Sequence, residues 1–204
     1  KSILKTPRES LSLFVSTINV WVDSMHFRQL EPVPAVIISG EKGSGKSRLL
    51  KNSVIPELQN NKTEYAGILM QYLFEKDVHV GYTISLRPGN TEMTLVGPEV
   101  SDAILSVGKY SFSRSAFEAG SKHIEQKMNN VDVVFLDESG WLETYGLGWY
   151  GILKEMRLSG KPMIVVVRPD LKEDFVKFWN IDEKALLKPD SEIAEVRSAL
   201  DALQ

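Results

Sequence analysis

The chain has 204 residues, 43% of them apolar and 25% charged, with a net charge of −3 and no cysteine. That length suits one α/β domain with an appendage around a single core; the missing cysteines exclude a disulfide framework, a thiolate metal site and a thiol nucleophile. No apolar run approaches the roughly 18 residues that span a bilayer, and the acidic balance gives no general attraction to nucleic acid, so any anion site has to be local.

Thr6-Pro7-Arg8-Glu9 joins an N-cap residue, a proline at the first helical position and an acid at capping-box distance, which predicts a helix start. Leu11, Phe14, Val15, Ile18, Val22 and Met25 continue it as one apolar stripe until Pro32 and Pro34 end it. Val36-Ile37-Ile38 then reads as a short buried strand, and Lys46 to Leu58 as a helix with Leu49, Leu50 and Val54 inward. Between them runs Gly40-Glu41-Lys42-Gly43-Ser44-Gly45-Lys46-Ser47, a complete Walker A pattern followed by Arg48. A glycine-rich turn between strand and helix lets successive backbone N–H groups cradle phosphate oxygens. Lys46 then reaches the β- and γ-phosphates, and the Ser47 hydroxyl meets Mg²⁺.

Glu64 to Leu73 and Val78 to Leu86 are β-rich and separated by Phe74-Glu75-Lys76-Asp77, which predicts an antiparallel hairpin inserted after the Walker helix. Asn61-Lys62-Thr63-Glu64 only superficially resembles the guanine-reading Asn-Lys-x-Asp motif and reads as a polar loop. Arg87-Pro88-Gly89-Asn90 is a turn signal, and Gly108 to Phe112 a short strand leading into a helix with Phe117, Gly120, Ile124 and Met128 on one face. Val131 to Leu136 is a near-continuous apolar strand that delivers Asp137 and Glu138 at its carboxyl end, where open α/β sheets place chemistry. After Gly140 come a helix around Tyr145 to Leu158, a buried strand Met163 to Val167 and a helix Leu171 to Trp179. Ile193, Val196, Leu200 and Leu203 mark a terminal amphipathic helix. The recurring strand-then-helix order predicts a three-layer α/β fold with a mainly parallel sheet and an inserted β-hairpin. Three segments are expected: an N-terminal helical extension over 1–34, a nucleotide-binding domain over 35–180 and a C-terminal helical segment over 181–204.

Phosphoryl chemistry needs positioning and charge neutralisation more than covalent catalysis. The Walker loop supplies both, and an acid ending an apolar strand supplies a metal holder. Asp137 fits that role beside Ser47, because Mg²⁺ keeps several waters and takes few protein ligands. Strand alternation points Glu138 away from Asp137, from where it can orient or deprotonate an attacking water. Arg48, Arg87, Arg114 and Arg168 are candidates for a further cation on the transition state, with none assigned. His26, His79 and His123 lack metal-ligand spacing, and Trp141, Trp149 and Tyr150 read as core residues before base-stacking ones.

The Walker A loop, the Gly67-Ile68-Leu69 and Val80-Gly81-Tyr82 strands, Gly108-Lys109-Tyr110 with Phe117 downstream, and VVFLDESGWLE from Val133 to Glu143 together resemble the small P-loop nucleoside-triphosphatase family, known in animals as the cancer-related nucleoside triphosphatase. That family's Walker B segment reads Asp-Glu-Ile-Gly-x-Met-Glu; Ser139 and Leu142 depart from it, while Asp137, Glu138, Gly140 and Glu143 match. The resemblance covers roughly Val36 to Trp179. It implies a RecA-like P-loop NTPase core that hydrolyses several nucleoside triphosphates, ATP and GTP included, to diphosphate and phosphate with Mg²⁺. It also implies triphosphate and metal contacts from Lys46 and Ser47, a metal holder in Asp137 and a catalytic carboxylate in Glu138. Glu143 matches a family position without a derived role. In the hairpin, Ile68, Leu69 and Met70 stand where the family often has an aromatic residue and Thr.

The nucleotide-binding set is therefore Gly40, Glu41, Lys42, Gly43, Ser44, Gly45, Lys46, Ser47 and Arg48; the catalytic pair is Lys46 and Glu138; the metal pair is Ser47 and Asp137, with Mg²⁺ as cofactor. Two alternatives stand beside hydrolysis. One is a slow nucleotide-dependent switch or assembly module that docks a partner domain or protein through the terminal helices; the other is a P-loop kinase acting on a small acceptor. No nucleic acid or membrane partner is expected, and the location expected is cytoplasmic. Opening at Lys1 without Met or a signal-peptide pattern, the chain reads as an excerpt of a longer one.

Overall fold

The computed structural model describes residue 20 and residues 22–204. Its sheet has nine strands in the order β5-β6-β4-β3-β2-β7-β8-β1-β9. Those strands are β1 (Val33–Ser39), β2 (Tyr65–Glu75), β3 (Val78–Arg87), β4 (Thr91–Gly97), β5 (Ala103–Val107), β6 (Tyr110–Ser113), β7 (Val133–Ser139), β8 (Met163–Val167) and β9 (Ile181–Leu187). Val133–Leu136 and Met163–Val167 lack polar alternation because these strands are central and covered on both faces. The pairs β2–β7, β7–β8, β8–β1 and β1–β9 are parallel. Beyond β2 every pair is antiparallel.

Two cores flank the sheet, and the period of two along each strand sorts residues between them. Ala35 and Ile37 of β1 face one side; Val36 and Ile38 face the other. The first side carries a helix over 22–27, here α1, with α4 (Arg114–Met128), α6 (Tyr150–Leu158) and α7 (Pro169–Trp179). The second carries α2 (Lys46–Leu49), a π-helical stretch (Leu50–Val54), α3 (Ile55–Asn60) and α8 (Ile193–Asp201). Pro56 has no N–H to offer the preceding turn, which accounts for the local widening of this otherwise continuous helix.

The three-layer, mainly parallel α/β architecture matches the expectation, with four differences. The insertion is larger than a hairpin: β2 is itself a parallel core strand, and β3, β4, β6 and β5 extend the sheet from it. The single helix expected around Tyr145 to Leu158 is split into α5 (Trp141–Thr144) and α6, because Gly146 and Gly148 take positive φ of 73° and 62° between them. Ile181–Leu187, expected within a helical tail, is the edge strand β9. In α1, Val22 and Met25 are 59% and 65% exposed, whereas Ser24 and Phe27 are buried. The inward face thus carries 24 and 27, three positions apart on one side of the helix. The expected helix start at Thr6 and the stripe through Ile18 lie outside the described residues.

The end of α1 is tied to the core by a buried cation. Arg157, 2% exposed, donates to Trp179 O at 2.6 Å, Glu31 O at 2.8 Å and Phe27 O at 3.2 Å. Asn180 Nδ2 adds bonds to Phe27 O and Leu30 O. These donors satisfy carbonyls at and just beyond the ends of α1 and α7, with Phe27 O also accepting from the Leu30 N–H. The terminal helix α8 buries Val196, Ala199 and Leu200 in the second core, so its apolar face is covered by its own chain. No helix among the described residues is long and apolar enough to cross a membrane.

Candidate active site

The loop after β1 lies at the carboxyl edge of the parallel strands. Gly43 and Gly45 have φ of 76° and 104°, a left-handed backbone that side chains resist and that folds the loop back before α2 begins. Lys46, the first residue of α2, is only 8% exposed; its ammonium donates to Gly40 O at 2.7 Å and Glu41 O at 2.9 Å. Ser47 Oγ donates to Asp137 Oδ1 at 2.9 Å, a bond between residues 90 positions apart. The other carboxylate oxygen accepts from the Met70 N–H at 2.9 Å. Because that contact is through backbone, the departure at Met70 from the family's residue types leaves it intact.

Asp137 is fully buried, and burial pushes its carboxyl up to about 7 against the opposing bonds from Met70 and Ser47. A buried acid with so few donors is what a neighbouring divalent cation would hold ionised. The donor set fits Mg²⁺: one hydroxyl and one carboxylate side by side, with the remaining positions left to water and phosphate. Among the described residues no group of three or more His, Asp or Glu could hold a metal by itself.

Glu138 reaches the site by a route strand alternation does not give. Leu136 pairs with Val165 and Ser139 with Val167, so β7 carries one extra residue between them. At this bulge Glu138 has φ 68°, left-handed and costly for a residue with a side chain. Its side chain lines a cleft of about 370 Å³ together with Lys42, Gly43, Gly45, Lys46, Ser47 and Arg48. Gly40, Glu41 and Ser44 form the base of the loop outside that lining, with the first two giving their carbonyls to Lys46.

Glu143, whose role the sequence left open, fastens the exit of β7. It is 6% exposed and accepts from the Gly140 N–H at 2.7 Å and the Trp149 N–H at 2.8 Å, one to each oxygen. Burial pushes its carboxyl up, opposed by those two bonds. Gly148 has to be glycine here: a Cβ would lie 2.4 Å from Glu143 Oε1, at a φ of 62°.

The four candidate arginines are separated. Arg48 lines the cleft. Arg87 bonds Gly89 O and Asn90 Oδ1 in its own turn, and Arg114 starts α4 on the surface. Arg168, at the end of β8, pairs with Asp170; the nearby charges of Glu138 and Glu41 act on it in the same direction as Asp170. Trp149 and Tyr150 are core residues, Trp149 lying edge-on to Phe117 at 4.7 Å; the Trp141 side chain lies outside the described parts. His123 bonds Arg87 O, while His79 belongs to a ring cluster that sequence reasoning missed, with Tyr72 and Tyr82 of the cleft wall. Spacing gave no signal for it, because it is assembled across two strands.

The two acidic residues and the phosphate loop come from β7 and β1, which β8 separates. A loop built for phosphates, facing carboxylates across an intervening strand, defines a RecA-like P-loop nucleoside triphosphatase. Residues 35–187 match the NTPase family, and the chain belongs to it. It is 24% identical over 133 residues to the nucleoside-triphosphatase THEP1 of Methanocaldococcus jannaschii, covering 65% of this chain and 76% of that protein. The crystal structure of THEP1 from Aquifex aeolicus superposes with a TM-score of 0.61 at 17% identity, over 83% of this chain and 99% of that one. The solution structure of a human cancer-related nucleoside triphosphatase gives 0.59 at 15% identity, over 82% and 94%. The chain is accordingly an enzyme of nucleoside triphosphate hydrolysis with the expected fold.

Proposed function

We propose that this chain hydrolyses ATP, GTP and related triphosphates to diphosphate and phosphate in a Mg²⁺-dependent reaction of broad base specificity. The observation that supports the reading is Glu138: at a bulge and with a left-handed backbone, it lines the cleft that Lys46 and Ser47 also line. Gly40 to Arg48 embrace the triphosphate, with N–H groups of the loop and the start of α2 facing its oxygens. Lys46 exchanges the carbonyls of Gly40 and Glu41 for β- and γ-phosphate oxygens. Ser47 and Asp137 would hold Mg²⁺, which would supply charge neutralisation of the phosphates. Glu138 orients the attacking water and accepts its proton.

The position of Asn61-Lys62-Thr63-Glu64 argues against guanine selectivity from that loop. That loop borders Val131, Asp132 and Pro162 at the amino ends of the parallel strands, across the sheet from the phosphate loop. It therefore has no reach to a base.

The test is phosphate release from ATP, GTP, CTP and UTP by the parent, Lys46→Ala and Glu138→Gln. Lys46→Ala should lose binding and turnover together, whereas Glu138→Gln should bind nucleotide and release phosphate at least about 100-fold more slowly, the usual worth of a general base. Chelation of divalent cations should stop the parent. Phosphate release unchanged by both substitutions overturns the reading.

A further inference from the structure

Tyr82 faces Tyr72 across the β2–β3 pair. Two irregularities bracket it: the β2–β3 register slips between Leu73 and Phe74, and the β3–β4 register slips between Tyr82 and Thr83. Gly81 lets β3 and β4 pinch together, since a Cβ there would lie 1.8 Å from Val96 O. Paired bulges of this kind twist a strand and re-aim a side chain. The consequence is that Tyr82, half-buried, lines the same cleft as Lys46, Ser47 and Glu138.

Its ring is fixed by neighbours. The centroids of Tyr72 and His79 lie 5.3 Å and 5.0 Å from it, the latter edge-on. The Tyr72 hydroxyl in turn lies 4.0 Å from where a Cβ on Gly43 would be, so this aromatic wall closes on the phosphate loop itself. Among the described residues the Tyr82 hydroxyl has no hydrogen-bond partner, although packing alone would be served by phenylalanine. Burial first and the charge of Glu138 second push the phenol up to about 12, so it is a protonated donor throughout the neutral range. Tyr82 and Glu138 thus line one cleft with Lys46, near enough for the Glu138 charge to act on the phenol.

We infer that Tyr82 is a further catalytic residue, its phenol donating a hydrogen bond to the oxygen of the water that Glu138 activates. The inference rests on the hydrolase reading of Glu138. In the step, the water oxygen bonds to the γ-phosphorus, its proton passes to Glu138, and the bond to the bridging oxygen breaks with its electron pair leaving on the diphosphate. Tyr82 keeps its own proton and fixes where the water stands, which is the kind of pre-positioning that acts on turnover more than on binding.

The experiment compares parent, Tyr82→Phe and Glu138→Gln in kcat, KM, Kd for a nonhydrolysable ATP analogue and thermal midpoint. Tyr82→Phe keeps the ring and its packing, so the expected result is a kcat about tenfold lower, the loss of one transition-state hydrogen bond. KM, analogue binding and thermal midpoint should stay near the parent values, which a merely structural tyrosine would not produce. A Tyr82→Phe kcat within about twofold of the parent, beside an inactive Glu138→Gln, overturns this inference alone. A parent-like Glu138→Gln overturns the assignment of Glu138, and this inference with it.

Discussion

Replacing Glu143 separates a helix-start acid of marginal value from a buried clamp on the catalytic strand. Its two oxygens accept separate backbone N–H groups at 2.7 Å and 2.8 Å, from Gly140 and Trp149. Hydrogen bonds to a charged group contribute about 1.5–3 kcal/mol each. Burial opposes that gain, and its effect on the carboxyl is the larger one, so the ionised form is held at a cost. Glu143→Gln removes the cost and keeps one acceptor, but sets an amide NH₂ against the second N–H; the net loss should be about 1–2 kcal/mol. Glu143→Ala orphans both N–H groups and leaves a small cavity, for about 2–4 kcal/mol. At about 2–4 °C per kcal/mol for a chain of this size, the two variants should melt in the order parent, Gln, Ala. Turnover should fall as well, because Glu138 lies two residues before Gly140 and depends on the same anchorage. Urea unfolding with the m-value monitored, together with phosphate release, reads both effects. If Gln and Ala both unfold within about 0.5 kcal/mol of the parent, the range of an ordinary surface change, the clamp argument is wrong.

Arg157→Met should destabilise by about 2–5 kcal/mol, since Trp179 O and Glu31 O lose a buried donor while Phe27 O keeps Asn180 and the Leu30 N–H; denaturant unfolding checks this, and an unshifted midpoint refutes it. Arg197 bonds Glu57 and holds its carboxyl below the ordinary value. The unfolded chain therefore binds more protons in the acid range, so this contribution is complete above the unfolded pKa of about 4.3 and fades as pH falls through the depressed one. Arg197→Met should flatten the acid limb of the stability–pH curve, and an unaltered slope would count against the pairing.

Much of the site was legible where its requirement is local. Gly43 and Gly45 are needed for left-handed backbone within a single turn, and Lys46 and Ser47 follow at fixed helical positions, so the loop can be read without knowing what surrounds it. The apolar run into Asp137 likewise announces a strand covered on both faces. The resemblance to known nucleoside triphosphatases added to the expectation for Glu138 that the strand end had already raised. Edge and antiparallel elements were harder. β9 carries exposed charges and pairs on one side only, so its sequence lacks the apolar run that marks β7 and β8. The split between α5 and α6 turns on Gly146 and Gly148 at positive φ, the second packed against Glu143, and not on helical periodicity.

What the chain order could dictate is the chemistry available: a phosphate cradle, an ammonium, a hydroxyl and two adjacent acids. Which of them meet was settled by long-range pairing. The Ser47–Asp137 bond exists because β8 spaces β7 from β1, and Asp137 is buried because β2 lays Met70 N–H against it. Glu138 enters the cleft through a bulge between β7 and β8, and Tyr82 through bulges on either side of β3. Periodicity and turn chemistry are properties of a few neighbouring residues, whereas a register slip is the minimum over many contacts between strands far apart in sequence. That is why the residues proposed for hydrolysis could be picked out of the sequence and their aim could not.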